Sequence, residues 1–278
     1  MSAAANVTVD VFEEVTIVTP LGVKFRDETT LALVADDLVV TLHPEGLPEL
    51  KTRGVMNRSG VFVFATLPGM SDVERGRGDE AFWATQPPRF AFVLEVTDRA
   101  GRFLPFAYSL QLPVRHLLAE PAGSLPEQAD GLRLFSAPSR ESVEAMAIVR
   151  AEIVDIVHHE PAAWALVEAK TEANFVRGLA DARGRVMLAL PYPRPQIVLG
   201  SVPGNGGRDF RQQAWNVDLT IRYARRDPVP DRPDLEDILT QPIATTTSAI
   251  IRFGQELQLA PISITPGRSL TERGEPNA

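Results

Sequence analysis

Gly54-Val55-Met56-Asn57-Arg58-Ser59-Gly60-Val61-Phe62-Val63-Phe64 returns, loosely rewritten, 124 residues later as Gly178-Leu179-Ala180-Asp181-Ala182-Arg183-Gly184-Arg185-Val186-Met187-Leu188. In each copy an Asn or Asp stands three residues after one Gly and three before another. Apolar residues then alternate, Phe62 and Phe64 in the first copy, Val186 and Leu188 in the second. Asn, Asp and Gly accept positive φ, and alternation reads as a half-buried strand. The spacing predicts one hairpin used twice, and with it two tandem β units.

Working outward, strands are expected at 15–19, 31–34 and 38–42 before the first copy and at 91–96 after it. The last of these runs into a third Asp-x-x-Gly turn, Asp98 to Gly101, with 103–110 returning as a strand that Pro105 confines to an edge or a bulge. The second half repeats the order with strands at 147–154, 163–169 and 214–223. Trp164 follows Val40 by 124 residues, so register is expected to hold across two elements. Beyond Tyr223, a short helix is expected over 233–239 with Asp231 as its N-cap, then a late hairpin of 250–253 and 256–259 around Gly254, extended by 262–265.

The Pro- and Gly-punctuated stretch 113–142 reads as a linker. The resulting division is a flexible lead 1–14, a first sandwich 15–112, the linker 113–142, a second sandwich 143–265 and a flexible tail 266–278. The fold class is all-β: two tandem antiparallel β-sandwiches with a short C-terminal helix and hairpin.

Of 278 residues, 44% are hydrophobic and 23% charged, as in ordinary globular chains. The 28 basic and 36 acidic residues leave a net charge of −8, which argues against nucleic acid as a partner because phosphate neutralisation needs a basic patch. Arg208, Arg211, Arg222, Arg225 and Arg226 are diluted by Asp209, Asp218 and Asp227. With no cysteine, disulfides and thiolate metal sites are impossible. No signal peptide is visible at the start, and no apolar run approaches the roughly 20 residues a membrane span needs.

An enzyme built from four histidines and the carboxylates assembles poorly. His116 and Glu120 lack the His-Glu-x-x-His spacing of zinc proteases and fall in the linker. His158-His159-Glu160 is the sharper metal candidate, but neighbours on a strand point to opposite faces and no third ligand is in view. Gly204-Asn205-Gly206-Gly207 is not followed by Lys-Ser/Thr, and no Gly-x-Ser-x-Gly occurs. The expectation is therefore no catalytic residue, no cofactor and no metal.

Trp164 and Trp215 fall on expected strands and read as core. Phe82-Trp83 interrupts a polar loop over 69–89, and Tyr192 sits in the matching loop 191–213. Arg75, Arg77, Phe82, Trp83, Tyr192, Arg194, Arg208 and Phe210 are the candidate interaction residues, as aromatic and arginine side chains on loops held by a rigid scaffold. The competing reading is that the aromatics fold back to cap their own sheets. Removal of 70–88 is expected to leave a folded protein.

The pattern Gly-x-x-Asn/Asp-x-x-Gly-x-Phe/Val-x-Phe/Leu, carried by 54–64 and 178–188, resembles the carboxypeptidase regulatory-like, transthyretin-like β-sandwich. With 57–61, 101–103, 134–138 and 252–257 added, the layout is similar to proteins of that family encoded among contractile injection system and phage-tail-like particle genes. The resemblance implies a non-catalytic structural subunit or adaptor, at a baseplate or cap. Its partners would be other protein subunits, self-association included. Such a protein would be cytoplasmic as synthesised and released as part of an extracellular particle. The alternative from another class is a carbohydrate- or ligand-binding module in which Trp83 and Tyr192 stack on sugar rings.

Overall fold

The computed structural model describes residues 18–76, 80–118, 131–142, 145–172, 174–192 and 213–266. The expected lead, most of strand 15–19, and Arg77, Arg194, Arg208 and Phe210 lie outside the described residues, as do all but the first residue of the expected tail.

The first unit contains β1 (Gly22–Val23), β2 (Phe25–Asp27), β3 (Leu33–Val34), β4 (Leu38–Pro44), β5 (Thr52–Arg53), β6 (Val55–Met56) and β7 (Phe62–Val63). Two short helices follow, α1 (Ser71–Glu74) and α2 (Glu80–Ala84), then β8 (Phe90–Asp98), β9 (Phe106–Leu112) and β10 (Leu132–Leu134). The second unit contains β11 (Met146–Asp155), β12 (Glu160–Pro161), β13 (Leu166–Lys170), β14 (Phe175–Leu179), β15 (Arg185–Pro191) and β16 (Ala214–Arg222). It ends with α3 (Leu235–Leu239), β17 (Ile243–Arg252), β18 (Leu257–Gln258) and β19 (Ile262–Ile264).

The tandem repeat is visible in the strand order. One sheet of the first unit runs β5-β4-β8-β9 and one of the second β14-β13-β16-β17, antiparallel throughout. In the facing layer β7 pairs with β1 as β15 does with β11, and β3 lies on β2 as β12 lies on β11. The chain is thus all-β, two β-sandwiches in tandem.

The final strand of each unit runs parallel to one near its start, β10 along β2 and β19 along β11, so the layers are not purely antiparallel. The Glu28 N–H donates to the Leu134 carbonyl as the Ile156 N–H does to Ile264, both at 3.1 Å. Leu118 likewise donates to Gly22 at 2.8 Å as Leu259 does to Arg150 at 2.9 Å. The stretch expected as a linker, 113–142, therefore supplies the last strand of the first sandwich, with Leu132, Leu134 and Phe135 buried. Proline and glycine punctuation there marks a strand interrupted by a loop, as β18 and β19 are two pieces of one path along β11.

The repeated turn is the same turn, built three times. Asn57 Oδ1 accepts the N–H groups of Ser59 and Val61, Asp181 Oδ1 those of Arg183 and Arg185, and the Asp98 carboxylate those of Ala100 and Arg102. The glycine of each, Gly60, Gly184 and Gly101, has φ between 67° and 73°. A short side chain accepting bonds from the next few amides holds the chain reversal, and glycine takes the left-handed position without a Cβ clash. Strand pairing beyond the turn differs. In the first unit β6 and β7 form a hairpin, but in the second β14 pairs with β13 while β15 crosses to β11. The expected second hairpin is therefore a sheet-to-sheet crossover, and so is the expected hairpin around Gly254, since β17 pairs with β16 and β18 with β11.

Register across the repeat also shifts. Gly54 donates to the Val40 carbonyl, whereas Gly178 lies opposite Val167, which follows Val40 by 127 residues rather than 124. Trp164 is consequently not on a strand. It sits in a turn at φ 62° ahead of β13, buried, with its indole N–H donating to the Pro230 carbonyl at 2.9 Å.

Candidate interaction surface

Alternating apolar residues fill each sandwich, Phe92, Leu94 and Val96 from β8 in the first and Val217, Leu219 and Ile221 from β16 in the second. The two cores are not separate beads. Ala163, Trp164, Leu166, Leu179, Leu235 and Ile238 of the second unit pack in the core of the first. Between them lies a buried ion pair, Arg177 Nε and Nη2 donating to the two carboxylate oxygens of Glu28 at 3.0 and 3.2 Å, with both side chains at most 3% exposed. The guanidinium also stands 5.7 Å from the Phe135 ring centroid. A two-pronged, dry pair of this kind tolerates little displacement, because either charge left alone in the core costs several kcal/mol.

Asp234 closes the junction on a second side. Its Oδ1 accepts the Glu236 N–H and so caps α3, in place of the expected Asp231. Its Oδ2 takes the Ser109 N–H at 3.0 Å and hydroxyl at 2.8 Å, while the Ala107 N–H donates to the Pro233 carbonyl at 2.9 Å. The open edge of β9 is thereby covered by the second unit. Buried Gln241, donating from Nε2 to the Trp164 carbonyl at 3.0 Å, ties the turn before β13 to the segment after α3.

The loop after the first repeated turn is anchored over much of its length. Met70 and Val73 are buried, and the Glu74 carboxylate accepts the Leu67 N–H while its carbonyl accepts that of Val18. Deleting 70–88 would therefore remove core residues, against the expectation that the shortened protein stays folded. Phe82 packs on the first core and meets Trp83 edge to face at 5.2 Å, with both rings half-buried on α2. Arg75, at the end of α1, is exposed.

Tyr192 also turns inward. Its ring lies 5.8 Å from Trp215 and 4.7 Å from Phe253, and its hydroxyl accepts the Gly254 N–H at 2.9 Å. Trp215, expected as core, is half-buried at the margin of the second core. Tyr192 and Phe253 border a cleft of about 410 Å³, lined also by Ser142, Met146, Gln255 and Glu256. The structure thus brings Phe82 to Trp83 and seats Tyr192 on an aromatic cluster that the sequence reading missed. Phe253 gave no signal because it lies 61 residues from Tyr192 in an unremarkable apolar run.

His158 finds the third ligand type that the sequence did not show: Asp155, His158 and Glu160 offer oxygen and nitrogen atoms within 4.8 Å of one another. Each is already engaged. Asp155 Oδ1 accepts the Val157 and His158 N–H groups, its Oδ2 faces His158 Nδ1 at 2.8 Å, and Glu160 pairs with Arg225 at 2.7 Å. Burial would push the Asp155 carboxyl up, but the His158 ring and the two amides outweigh it and hold it below the usual carboxylate range. The first unit has the same device. Asp27 opposes Leu134 as Asp155 opposes Ile264, and its carboxylate takes the Thr29 N–H and Arg140 Nη2. A buried acid that ends a strand and bonds a nearby basic side chain thus recurs in both sandwiches, Asp27 on β2 and Asp155 on β11. His159 and His116 are exposed, and Glu120 lies outside the described residues.

No protein-family model matches the chain, and no curated protein does. Among solved structures it is similar to the TIE protein of Bacillus anthracis, at 10% identity and a TM-score of 0.27 over 88% of this chain and 34% of that one. It is also similar to BcpA, the major pilin subunit of Bacillus cereus, at 8% identity and a TM-score of 0.25, covering 88% of this chain and 59% of BcpA. The shaft pilin spaA of Lactobacillus rhamnosus GG, as its D295N mutant, gives 10% identity and a TM-score of 0.24 over 90% of this chain and 99% of the pilin. The chain spans about a third of the first of these and under two thirds of the second, and its fold rests on the strand ladders described above. No helix among the described residues is long and apolar enough to cross a membrane.

Proposed function

We propose that this chain is a non-catalytic structural subunit or adaptor of a multi-protein particle of the contractile injection, phage-tail-like kind. The observation that carries the reading is the junction. The shared core, the Glu28–Arg177 pair and the Asp234 bridge make two sandwiches into a single unit, so surfaces on both are held at a set separation. A spacer or adaptor needs that property, whereas a catalyst needs a cleft with unengaged acid, base or nucleophile. The titratable groups that cluster near His158 are already bonded to one another and to Arg225.

The test is co-sedimentation from the source cells with a tagged chain, followed by identification of the heavy fraction. Recovery with sheath and tube proteins supports the proposal; a chain that sediments alone overturns it. A ligand-binding module is the second reading, favoured by the cleft beside Tyr192 and Phe253. Glycan-array binding abolished by Phe253→Ala would support it, and a blank array would remove it.

A further inference from the structure

The two equivalent sheets end differently. The edge strand β9 of the first is closed by Pro233 and Asp234, through backbone and carboxylate bonds to Ala107 and Ser109. The equivalent edge strand of the second sheet, β17, pairs with β16 on one side and with no strand on the other among the described residues. It is ten residues long and carries no proline, and Arg252 at its very end is its one charge. Most of it is exposed, Ile243 and Ile250 at 55% and 56%. Edge strands are ordinarily blunted by charge, proline, shortness or cover, because their free N–H and C=O groups template further pairing. Among the described residues β17 has a single irregularity, a register shift opposite Ile221 and Arg222, and otherwise none of these protections.

We infer that β17 is a pairing edge, and that it pairs antiparallel with β17 of a second copy about a two-fold axis through Thr247. The occupant follows from symmetry and charge. A two-fold perpendicular to the sheet keeps the core face of both copies on one side, so residues of like orientation must oppose. Centred on Thr247, it sets Thr246 of one copy opposite Ser248 of the other, and Thr245 opposite Ala249. Next to these, Asp218 and Thr220 of β16 flank Ser248 and Thr246, so no like charge opposes another. In a chain of net charge −8, an edge uncharged from Ile243 to Ile251 is where copies meet without repulsion. Small threonine, serine and alanine side chains offer no pocket to select a foreign peptide, and backbone bonds alone are satisfied by an identical strand.

The pairing stands on the edge and not on the particle reading. Sedimentation equilibrium of the full chain from about 1 to 200 μM tests it. A Thr246→Lys/Ser248→Lys variant sets like charges opposite each other twice, and the expected result is a dimer midpoint raised on the order of tenfold. A Thr246→Glu/Ser248→Glu variant should weaken likewise, and an equimolar mixture of the two should recover a dimer. Both changes fall on exposed positions, so circular dichroism should match the parent. A parent that stays monomeric throughout overturns the inference, as does a dimer that ignores both variants or a mixture that fails to recover. None of these results bears on co-sedimentation with sheath and tube proteins.

Discussion

The first and second sandwiches share strand order, the Asx-Gly turn and a buried aspartate, yet they differ wherever one leans on the other. The sheet edge β9 is covered, whereas β17 pairs with no strand on its outer side among the described residues. Asp27 is matched to Arg140, which also bonds Ser136 and lies 4.8 Å from the Phe103 ring; Asp155 is matched to the half-exposed His158. The first core includes residues of the second unit. A repeat copied in tandem has one inner and one outer member, and these differences teach that the inner unit has been built around its neighbour.

The junction should give the largest effect. Arg177→Ala removes two charged bonds from the buried Glu28 carboxylate and is expected to cost about 3–5 kcal/mol in urea unfolding. The double change Glu28→Leu/Arg177→Met should recover most of that loss. An Arg177→Ala protein as stable as the parent would break the picture of a fused pair.

Next come the turn glycines, which compare the units directly. A Cβ on Gly184 would stand 2.4 Å from the Ile153 carbonyl oxygen, one on Gly60 would meet only the movable end of Leu33 at 2.6 Å, and one on Gly101 would meet nothing within 4 Å. Gly101→Ala and Gly60→Ala should each cost the left-handed penalty of about 1–2 kcal/mol, and Gly184→Ala more than either because backbone cannot yield as a leucine tip can. Thermal melts of the three variants check the order.

The smallest effect should separate the two aspartates. Burial opposes ionisation of Asp27, but the Arg140 bond and the Thr29 amide outweigh it and, as at Asp155, hold the pKa down. A depressed carboxyl contributes stability that is present above its unfolded pKa, near 4, and lost as pH falls through the folded value. Arg140→Ala should therefore destabilise more than His158→Ala at pH 7, with the gap shrinking as pH is lowered below about 4. Equal losses at pH 7, or a gap that widens in acid, would overturn that distinction between the Arg140 and His158 partners.

Much of the scaffold was legible from sequence because its signals are local. The turns at Asn57, Asp98 and Asp181 depend on bonds between a side chain and amides two to four residues on, so the Asx-x-x-Gly spacing is the structure in miniature. The strand β4 announced itself by β-branched residues, and β8 by alternation. The Thr-rich β17 was read only from Ile250 onward, because threonines that face solvent on both sides of an edge show no apolar alternation. For the loop aromatics, the sequence showed that Phe82, Trp83 and Tyr192 were unusual and could not show which way they point.

By itself, then, the amino-acid order determined that the fold class is all-β, that the chain repeats, and where it reverses. Tertiary structure alone decided that 131–137 closes the first sandwich, that the offset of the repeat slips from 124 to 127 at Trp164, and that Glu28 meets Arg177 across 149 residues. A parallel closing strand and a buried ion pair leave no periodic trace: both are contacts between distant segments, and a charged residue reads as surface until its partner arrives from elsewhere in the chain.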